Sequence, residues 1–225
     1  SVSLGGGKQW QPQNYDKVSH GNVSMLTGLT QSYNQATVRL GMNVGLAKVA
    51  NNFNRLGLKT DLPRYPSILL GAVPLSPFNV AEMYQTIASN GFVMPLRSIE
   101  AVNDARGNLF SSYGMEGRQE VSPQTMQWLR WGLEQVTENG TARALKGHIP
   151  LPIAAKTGTS NDQRDAWFMG FDNRHLGIVW VGRDDNEPMP LFGSTAALPI
   201  WLESFKSLGV EPLAPATGFG WVKVN

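Results

Sequence analysis

The sequence predicts a mixed α/β (α+β) fold in which helices flank a small antiparallel sheet. Three observations favour this class. Helix-start signals precede apolar stretches of helical spacing, three strand-like runs follow one another in the last third of the chain, and no internal repeat is present. The 225 residues are enough for one large domain or two small ones.

The sequence pattern of the first half of the chain predicts a loop followed by helices. Residues 1–22 are rich in Gly, Asn and Gln and predict a loop. Four helical stretches are predicted after it, from Val23 to about Asn34, over Val38–Met42, from Leu46 to Gly57 and from Ser76 to Gly91. The last begins with Ser followed by Pro, which are preferred at a helix N-cap and first turn.

The sequence pattern of the second half of the chain predicts most of the strands of the sheet. Short strands are expected over 98–102 and 109–112, a helix from Ser122, three strands over 153–159, 166–171 and 176–182, and a last helix over 195–208. The segment 172–175 has the composition of a hairpin turn. We expect residues 1–209 to form part of one domain and residues 210–225, rich in Pro, Ala and Gly, to form an extended tail.

Composition excludes several classes of protein. With no Cys, the chain cannot carry disulfides or a thiolate-bound metal, and its three His lack metal-ligand spacing, so we predict neither metal nor cofactor. The 19 basic and 17 acidic residues leave a net charge of only +2, so no nucleic-acid partner is predicted. The longest mostly apolar run, Ile68–Leu75, is far shorter than the ~20 residues of a spanning helix.

The string Lys156-Thr157-Gly158-Thr159, at the end of a predicted strand, is the sharpest chemical signal. Because side chains alternate along a strand, Lys156 and Gly158 share one face, and Thr157 and Thr159 share the other. Gly158 allows close approach of a second backbone, and a free strand edge can pair with a peptide. A strand that simply ends in a polar turn would explain the string equally well.

The string Ser32-Tyr33-Asn34, at the end of a predicted helix, is a weaker signal. The pattern S-x-N occurs only once in the chain, although about one occurrence is expected by chance in this length. By itself it indicates no more than a polar helix end.

Together the two strings resemble the S-x-N and K-T-G motifs of the penicillin-recognising serine acyltransferases. The chain resembles in particular the transpeptidase domain of class A penicillin-binding proteins, from about residue 8 to 210. Further similar segments are Trp10–Asp16, Gly21–Met25, Leu70-Gly71, Leu75–Pro77, Ala88–Gly91 and Asp165–Gly170. Trp180–Asp184 is similar to the 1B type of this family. The resemblance implies a β-lactamase-like fold.

The resemblance also implies roles for individual residues. Ser32 would be catalytic, passing a proton to the leaving amine, and Lys156 would be catalytic by setting the electrostatics of the cleft and the protonation of Ser32. Four residues would bind substrate: Asn34 at its acyl side chain, Thr157 and Thr159 at its carboxylate, and Gly158 by leaving room. The N–H of Thr159 would form part of an oxyanion hole.

The nucleophile of this family, the Ser of S-x-x-K, is absent from these residues, since no Ser has a Lys three positions on. Covalent catalysis needs both groups, so this chain alone is expected to be inactive. We expect the N-terminal part of the domain, with S-x-x-K, to lie in another chain or segment. The parent is expected to be periplasmic and anchored to the inner membrane, with D-Ala-D-Ala stem peptides of peptidoglycan and β-lactams as its partners.

Two alternatives remain open at this point. A hydrolytic relative, a D,D-carboxypeptidase or β-lactamase, would pass the acyl group to water instead of an amine. A non-catalytic binding or sensor module would keep the cleft without the chemistry.

Overall fold

The structure, a computed structural model, describes residues 1–114 and 116–216; the last nine residues of the predicted tail, 217–225, lie outside the described residues. Its helices are α1 (Met25–Thr30), α2 (Asn34–Val44), α3 (Leu46–Arg55), α4 (Pro77–Ala88), α5 (Pro123–Asn139) and α6 (Leu198–Leu208). Its strands are β1 (Val2–Gly5), β2 (Lys8–Trp10), β3 (Phe92–Val93), β4 (Ala101–Asn103), β5 (Leu109–Ser112), β6 (Arg118–Gln119), β7 (Ala154–Thr159), β8 (Asp165–Phe171) and β9 (Leu176–Gly182).

The main sheet consists of β7, β8 and β9 in that order, with both pairs antiparallel. Its register places Lys156 opposite Met169 and Gly158 opposite Trp167. Helix α5 packs against β7, α4 against β9 and α6 against β8 and β9, so helices cover both faces of the sheet. This arrangement confirms the predicted α/β class.

The core on one face of the sheet centres on Trp201 of α6, which is fully buried. Its ring stacks on Phe205 with 3.7 Å between centroids and meets Phe168 edge-on at 5.3 Å. The strands make room for it with glycines, because a Cβ on Gly170 or Gly177 would lie 3.0 or 2.6 Å from its ring atoms. Burying so large an aromatic side chain stabilises the fold through the apolar area removed from water and through its ring contacts.

The helix-start signals operate as the sequence predicts. Ser76 caps α4 with a reciprocal capping box to Asn79, and Ser122 caps α5 by accepting from the N–H of Thr125. Each hydroxyl satisfies a backbone donor that has no partner within its helix. Helices α4 and α5, which pack against the sheet, therefore begin at the residues that the sequence predicts.

Three local predictions were wrong in extent. Part of the predicted N-terminal loop is the hairpin β1–β2, because Gly6 and Gly7 adopt the positive φ values (56° and 77°) that its tight turn requires. Helix α2 covers 34–44, longer than the predicted 38–42. A π-helical turn over 193–197 precedes α6, so the regular helix begins at residue 198 instead of 195.

The described part of the C-terminal tail packs on the body of the protein without forming a helix or strand. Leu213 is buried, and its N–H donates to the carbonyl of Pro152 at 3.0 Å. The guanidinium of Arg130 on α5 donates to the carbonyl of Ala214 at 2.9 Å. Residues 210–216 are therefore held by contacts with both α5 and the segment before β7.

Candidate active site

Ser32 lies directly after α1, in the left-handed backbone region with φ of 55°. Its N–H donates to the carbonyl of Leu29 at 3.2 Å, and the next N–H, of Tyr33, donates to Gly28 at 2.9 Å. These bonds end α1 and turn the chain toward β7. Left-handed backbone at a residue with a Cβ costs about 1–2 kcal/mol, and such strain is concentrated at functional sites.

Lys156 lies in the middle of β7 and reaches Ser32. Its Nζ donates to the Oγ of Ser32 and also to the carbonyl of Thr157, the latter at 2.9 Å. Burial disfavours the charged ammonium and lowers the pKa of Lys156 from 10.5 to about 8. The amine can therefore change its charge close to neutral pH while it remains bonded to the serine hydroxyl.

The two threonines of β7 have hydroxyls with defined partners. The Oγ1 of Thr157 lies 2.6 Å from the Oγ1 of Thr141, which follows α5. The Oγ1 of Thr159 accepts a hydrogen bond from the N–H of Gly193 at 3.2 Å. Since a hydroxyl both accepts and donates, the hydrogen of Thr159 stays available to an anion in front of the strand.

Gly158 is in close contact with the turn that precedes α6. A Cβ on Gly193 would lie 2.5 Å from the carbonyl oxygen of Gly158 and 2.3 Å from that of Trp167. Gly193 is itself buried. The backbone of Gly193 thus lies close to that of Gly158, because Gly193 packs on the backbone of β7 and β8.

Asn34 is the first residue of α2, two positions from Ser32. Its Nδ2 donates to the carbonyl of Gln13 at 2.8 Å. The neighbouring Asn14 holds the same loop in place, accepting from the N–H of Gln35 at 3.1 Å and donating to Val18 at 2.7 Å. These bonds orient the amide of Asn34 and leave its Oδ1 as the atom that can accept from a peptide N–H.

The structure brings together the six site residues that the sequence singles out, although the S-x-N and K-T-G strings are more than 120 positions apart. Sequence reasoning missed Thr141 and Gly193. The turn Gly140-Thr141 directly after a strongly predicted helix was a detectable signal for the first. Gly193 had no such signal in the sequence, because what distinguishes it is its packing against the backbone of Gly158 and Trp167 in the folded protein.

A cavity of about 330 Å³ lies beside the threonine face of this site. It is lined by Gln31, Gly140, Thr141, Arg143, Ala144 and Ser194. Four of these six residues have polar side chains and Arg143 is cationic, so the cavity favours polar or anionic groups.

Among residues 1–114 and 116–216, no three His, Cys, Asp or Glu side chains are grouped so that they could hold a metal ion. Within the same ranges, no helix has both the length and the apolar content needed to cross a membrane.

Comparison with known proteins identifies the family of the chain. The family profile of the penicillin binding protein transpeptidase domain matches residues 2–182. The chain belongs to the penicillin-binding protein transpeptidase family. This confirms the resemblance to class A penicillin-binding proteins that the sequence motifs indicate.

Relatives of this chain include three proteins described as penicillin-binding protein 1B. The one from Haemophilus influenzae is 36% identical over 100% of this chain and 29% of its own length. Those from Escherichia coli and Vibrio cholerae are 39% and 38% identical over 92% and 89% of the chain. The chain spans only 25–29% of the length of these three relatives.

Solved structures show the same fold. Penicillin-binding protein 1A from Haemophilus influenzae is similar with a TM-score of 0.86 at 21% identity, over 96% of this chain and 39% of that one. The PonA1 protein from Mycobacterium tuberculosis, solved in complex with penicillin V, has a TM-score of 0.79 at 21% identity, over 93% of this chain and 63% of its own. At this identity the likeness establishes the β-lactamase-like transpeptidase fold.

Proposed function

We propose that the protein containing this chain is a serine D,D-transpeptidase of peptidoglycan synthesis, and that these residues form the proton-transfer and substrate-binding side of its active site. The observation that carries the proposal is the hydrogen bond from Lys156 to Ser32, next to the threonines of β7. Membership of the transpeptidase family supports it.

In the proposed reaction, a serine outside these 225 residues attacks the carbonyl that precedes the last D-Ala of a stem peptide. The carbon–nitrogen bond breaks, the peptide becomes esterified to that serine, and D-Ala leaves as the amine. Attack of a neighbouring stem's amine on the ester then forms the cross-link and frees the serine. A β-lactam acylates the same serine and blocks the cycle.

Ser32 and Lys156 supply the proton path of this reaction. The attacking serine loses a proton and the leaving amine gains one. Ser32 passes a proton from its hydroxyl to the amine, and Lys156 replaces it through the bond between them. The proton released by the attacking serine then restores the ammonium of Lys156. A donor whose pKa lies near 8 gives up its proton at neutral pH more readily than an ordinary lysine. Lys156 therefore combines cationic attraction for substrate with proton donation.

The substrate lies along the free edge of β7 in this proposal. Thr159 donates its hydroxyl hydrogen to the terminal carboxylate, because its oxygen is already occupied by the N–H of Gly193. The N–H of Thr159 stabilises the developing oxyanion, and Oδ1 of Asn34 accepts from the acyl side chain of the peptide.

The N-terminal part of the domain, with S-x-x-K, belongs in this proposal to a segment outside the 225 residues. The parent is anchored in the inner membrane and works in the periplasm, where peptidoglycan is assembled. The D,D-carboxypeptidase, β-lactamase and sensor alternatives carry less weight, because the relatives are penicillin-binding proteins 1B and 1A.

The test uses the full-length protein with a labelled penicillin and mass spectrometry. We expect a stoichiometric adduct on one serine outside residues 1–225, and a slowing of adduct formation by orders of magnitude in Lys156→Ala. Lys206→Ala is a matched control, since Lys206 lies on α6 and forms its ion pair in the described part of the chain with the exposed Glu203. Complete absence of an adduct on the wild-type protein would reject the proposal in favour of a sensor module.

Supplying a stem-peptide donor with and without an amine acceptor separates transfer from hydrolysis. We expect the cross-linked product to dominate over the hydrolysed acid when the acceptor is present. Hydrolysis that is unaffected by the acceptor would favour the carboxypeptidase or β-lactamase alternative.

A further inference from the structure

The segment that ends α5 bonds both to the two residues just before Ser32 and to the strand that carries Lys156. The carbonyl of Asn139 accepts from Nε2 of Gln31 at 3.0 Å, and the N–H of Thr141 donates to the carbonyl of Thr30 at 3.1 Å. The side chain of Thr141 then reaches β7, with 2.6 Å between its Oγ1 and that of Thr157. One turn thus connects the chain leading into Ser32 with the substrate-binding strand.

Close packing makes this turn rigid. A Cβ on Gly140 would lie only 2.4 Å from the carbonyl oxygen of Thr30 and 2.9 Å from that of Val136. Glycine is therefore required for Thr141 to approach the end of α1. The backbone bond to Thr30 holds Thr141 in the position from which its hydroxyl contacts that of Thr157.

Each of the two threonine hydroxyls of β7 has a partner that can donate a hydrogen bond to its oxygen. For Thr159 the partner is the N–H of Gly193, which can only donate. For Thr157 the partner is the hydroxyl of Thr141. If Thr141 donates, the hydrogen of Thr157 is also released toward the substrate, and both threonines present O–H donors to the same anion.

We propose that Thr141 is a positioning residue, which donates its hydroxyl hydrogen to Thr157 and so orients the Thr157 hydroxyl as a donor to the carboxylate of the bound peptide or β-lactam. This proposal rests on the proposed function, since it assigns a second role within the same site. Two donors held in place beforehand bind an anion without having to give up other hydrogen bonds at the moment of binding.

The test measures acylation of the full-length protein by penicillin G and by its methyl ester, which lacks the anionic carboxylate. Thr141→Val keeps the shape but removes the donor, and we expect it to lower the second-order rate constant for the acid about tenfold and that for the ester little. Thr141→Ser restores the hydroxyl and is expected to restore the preference for the acid. Because the acid-to-ester ratio is independent of the amount of folded protein, it remains valid if a variant is less stable.

Thr137→Val is the matched control. Thr137 is a fully buried threonine on α5 whose hydroxyl donates to the carbonyls of Glu134 and Ile153, so its loss should reduce stability without changing the ratio. An unchanged ratio in Thr141→Val, or an equal loss for acid and ester, would overturn the role of Thr141. A wild-type protein that neither compound acylates would instead overturn the proposed function, so the two failures are distinguishable.

Discussion

Lys156 on β7 donates a hydrogen bond to the hydroxyl of Ser32, 124 positions earlier in the chain. The contact joins β7 to a residue of left-handed backbone that lies two positions after the end of α1. Burial lowers the pKa of the Lys156 amine, so the charge beside the Ser32 hydroxyl can change near neutral pH. The first two predictions test the two ends of this contact.

The charge of Lys156 should produce an alkaline limb in the acylation profile. With a pKa of about 8, the ammonium discharges as pH rises and the attraction for the penicillin carboxylate is lost. The second-order rate constant of the full-length protein, which reports the free enzyme, should fall about tenfold from pH 7 to pH 9. Lys156→Arg stays charged throughout this range, so its rate, although lower, should lack that limb. The same limb in Lys156→Arg would contradict the assignment.

The backbone strain at Ser32 should be visible as a difference between two variants. Ser32→Ala and Ser32→Gly both remove the hydroxyl that Lys156 contacts, but only glycine adopts a φ of 55° without cost. We expect Ser32→Gly to be more stable than Ser32→Ala by about 1 kcal/mol in thermal unfolding. Both variants should be acylated much more slowly than the wild type. Equal stability of the two would show that the left-handed backbone carries no strain.

Gly193 should not tolerate a side chain. In Gly193→Ala the new Cβ would collide with backbone oxygens of Gly158 and Trp167, so the turn before α6 must move away from β7. We expect a loss of about 1–3 kcal/mol in stability and a slower acylation, because the N–H of Gly193 leaves Thr159. Gly114→Ala is the control, since a Cβ there would meet no atom of the described residues within 4 Å. Wild-type behaviour of both variants would contradict the close approach.

Arg130 and Glu134 form a buried pair on α5, with 3.2 Å between their charged atoms and side chains only 12% and 8% exposed. Arg130→Met leaves the carboxylate of Glu134 buried without its partner, and we expect a loss of about 3–5 kcal/mol at pH 7. The variant also loses the bond to Ala214. The double variant Arg130→Met/Glu134→Met should recover much of the stability, and failure to recover would assign the loss to the tail contact.

The same pair has a pH signature. Desolvation raises the pKa of Glu134 above its ordinary value of 4.5, although Arg130 opposes the shift. The folded protein therefore binds that proton more tightly than the unfolded chain does, which adds to the free energy of unfolding. This contribution is present in full below pH 4.5 and is lost as pH rises through the higher folded-state pKa. Without Arg130 the folded-state pKa rises further, so the loss in Arg130→Met should be larger at pH 7 than at pH 5. Thermal unfolding at both values measures it.

The sequence by itself determined most of the regular elements and indicated the family. Ser76 and Ser122 mark helix starts by local hydrogen bonding, and the short apolar run before Lys156 marks the strand that carries it, because both signals act over a few residues. The residue strings around Ser32 and Lys156 were sufficient to indicate the family. The hairpin β1–β2 was missed, although its Gly6-Gly7 turn was present in the sequence.

Only the tertiary structure decided which atoms meet. The bond from Lys156 to Ser32, the packing of Gly193 on Gly158 and the contact of Thr141 with Thr157 all join segments that are distant in the chain or lie on different elements. Such contacts depend on how helices and strands pack, which no local pattern encodes. The lowered pKa of Lys156 has the same origin, since desolvation is a property of the assembled fold and not of the lysine or its neighbours in sequence.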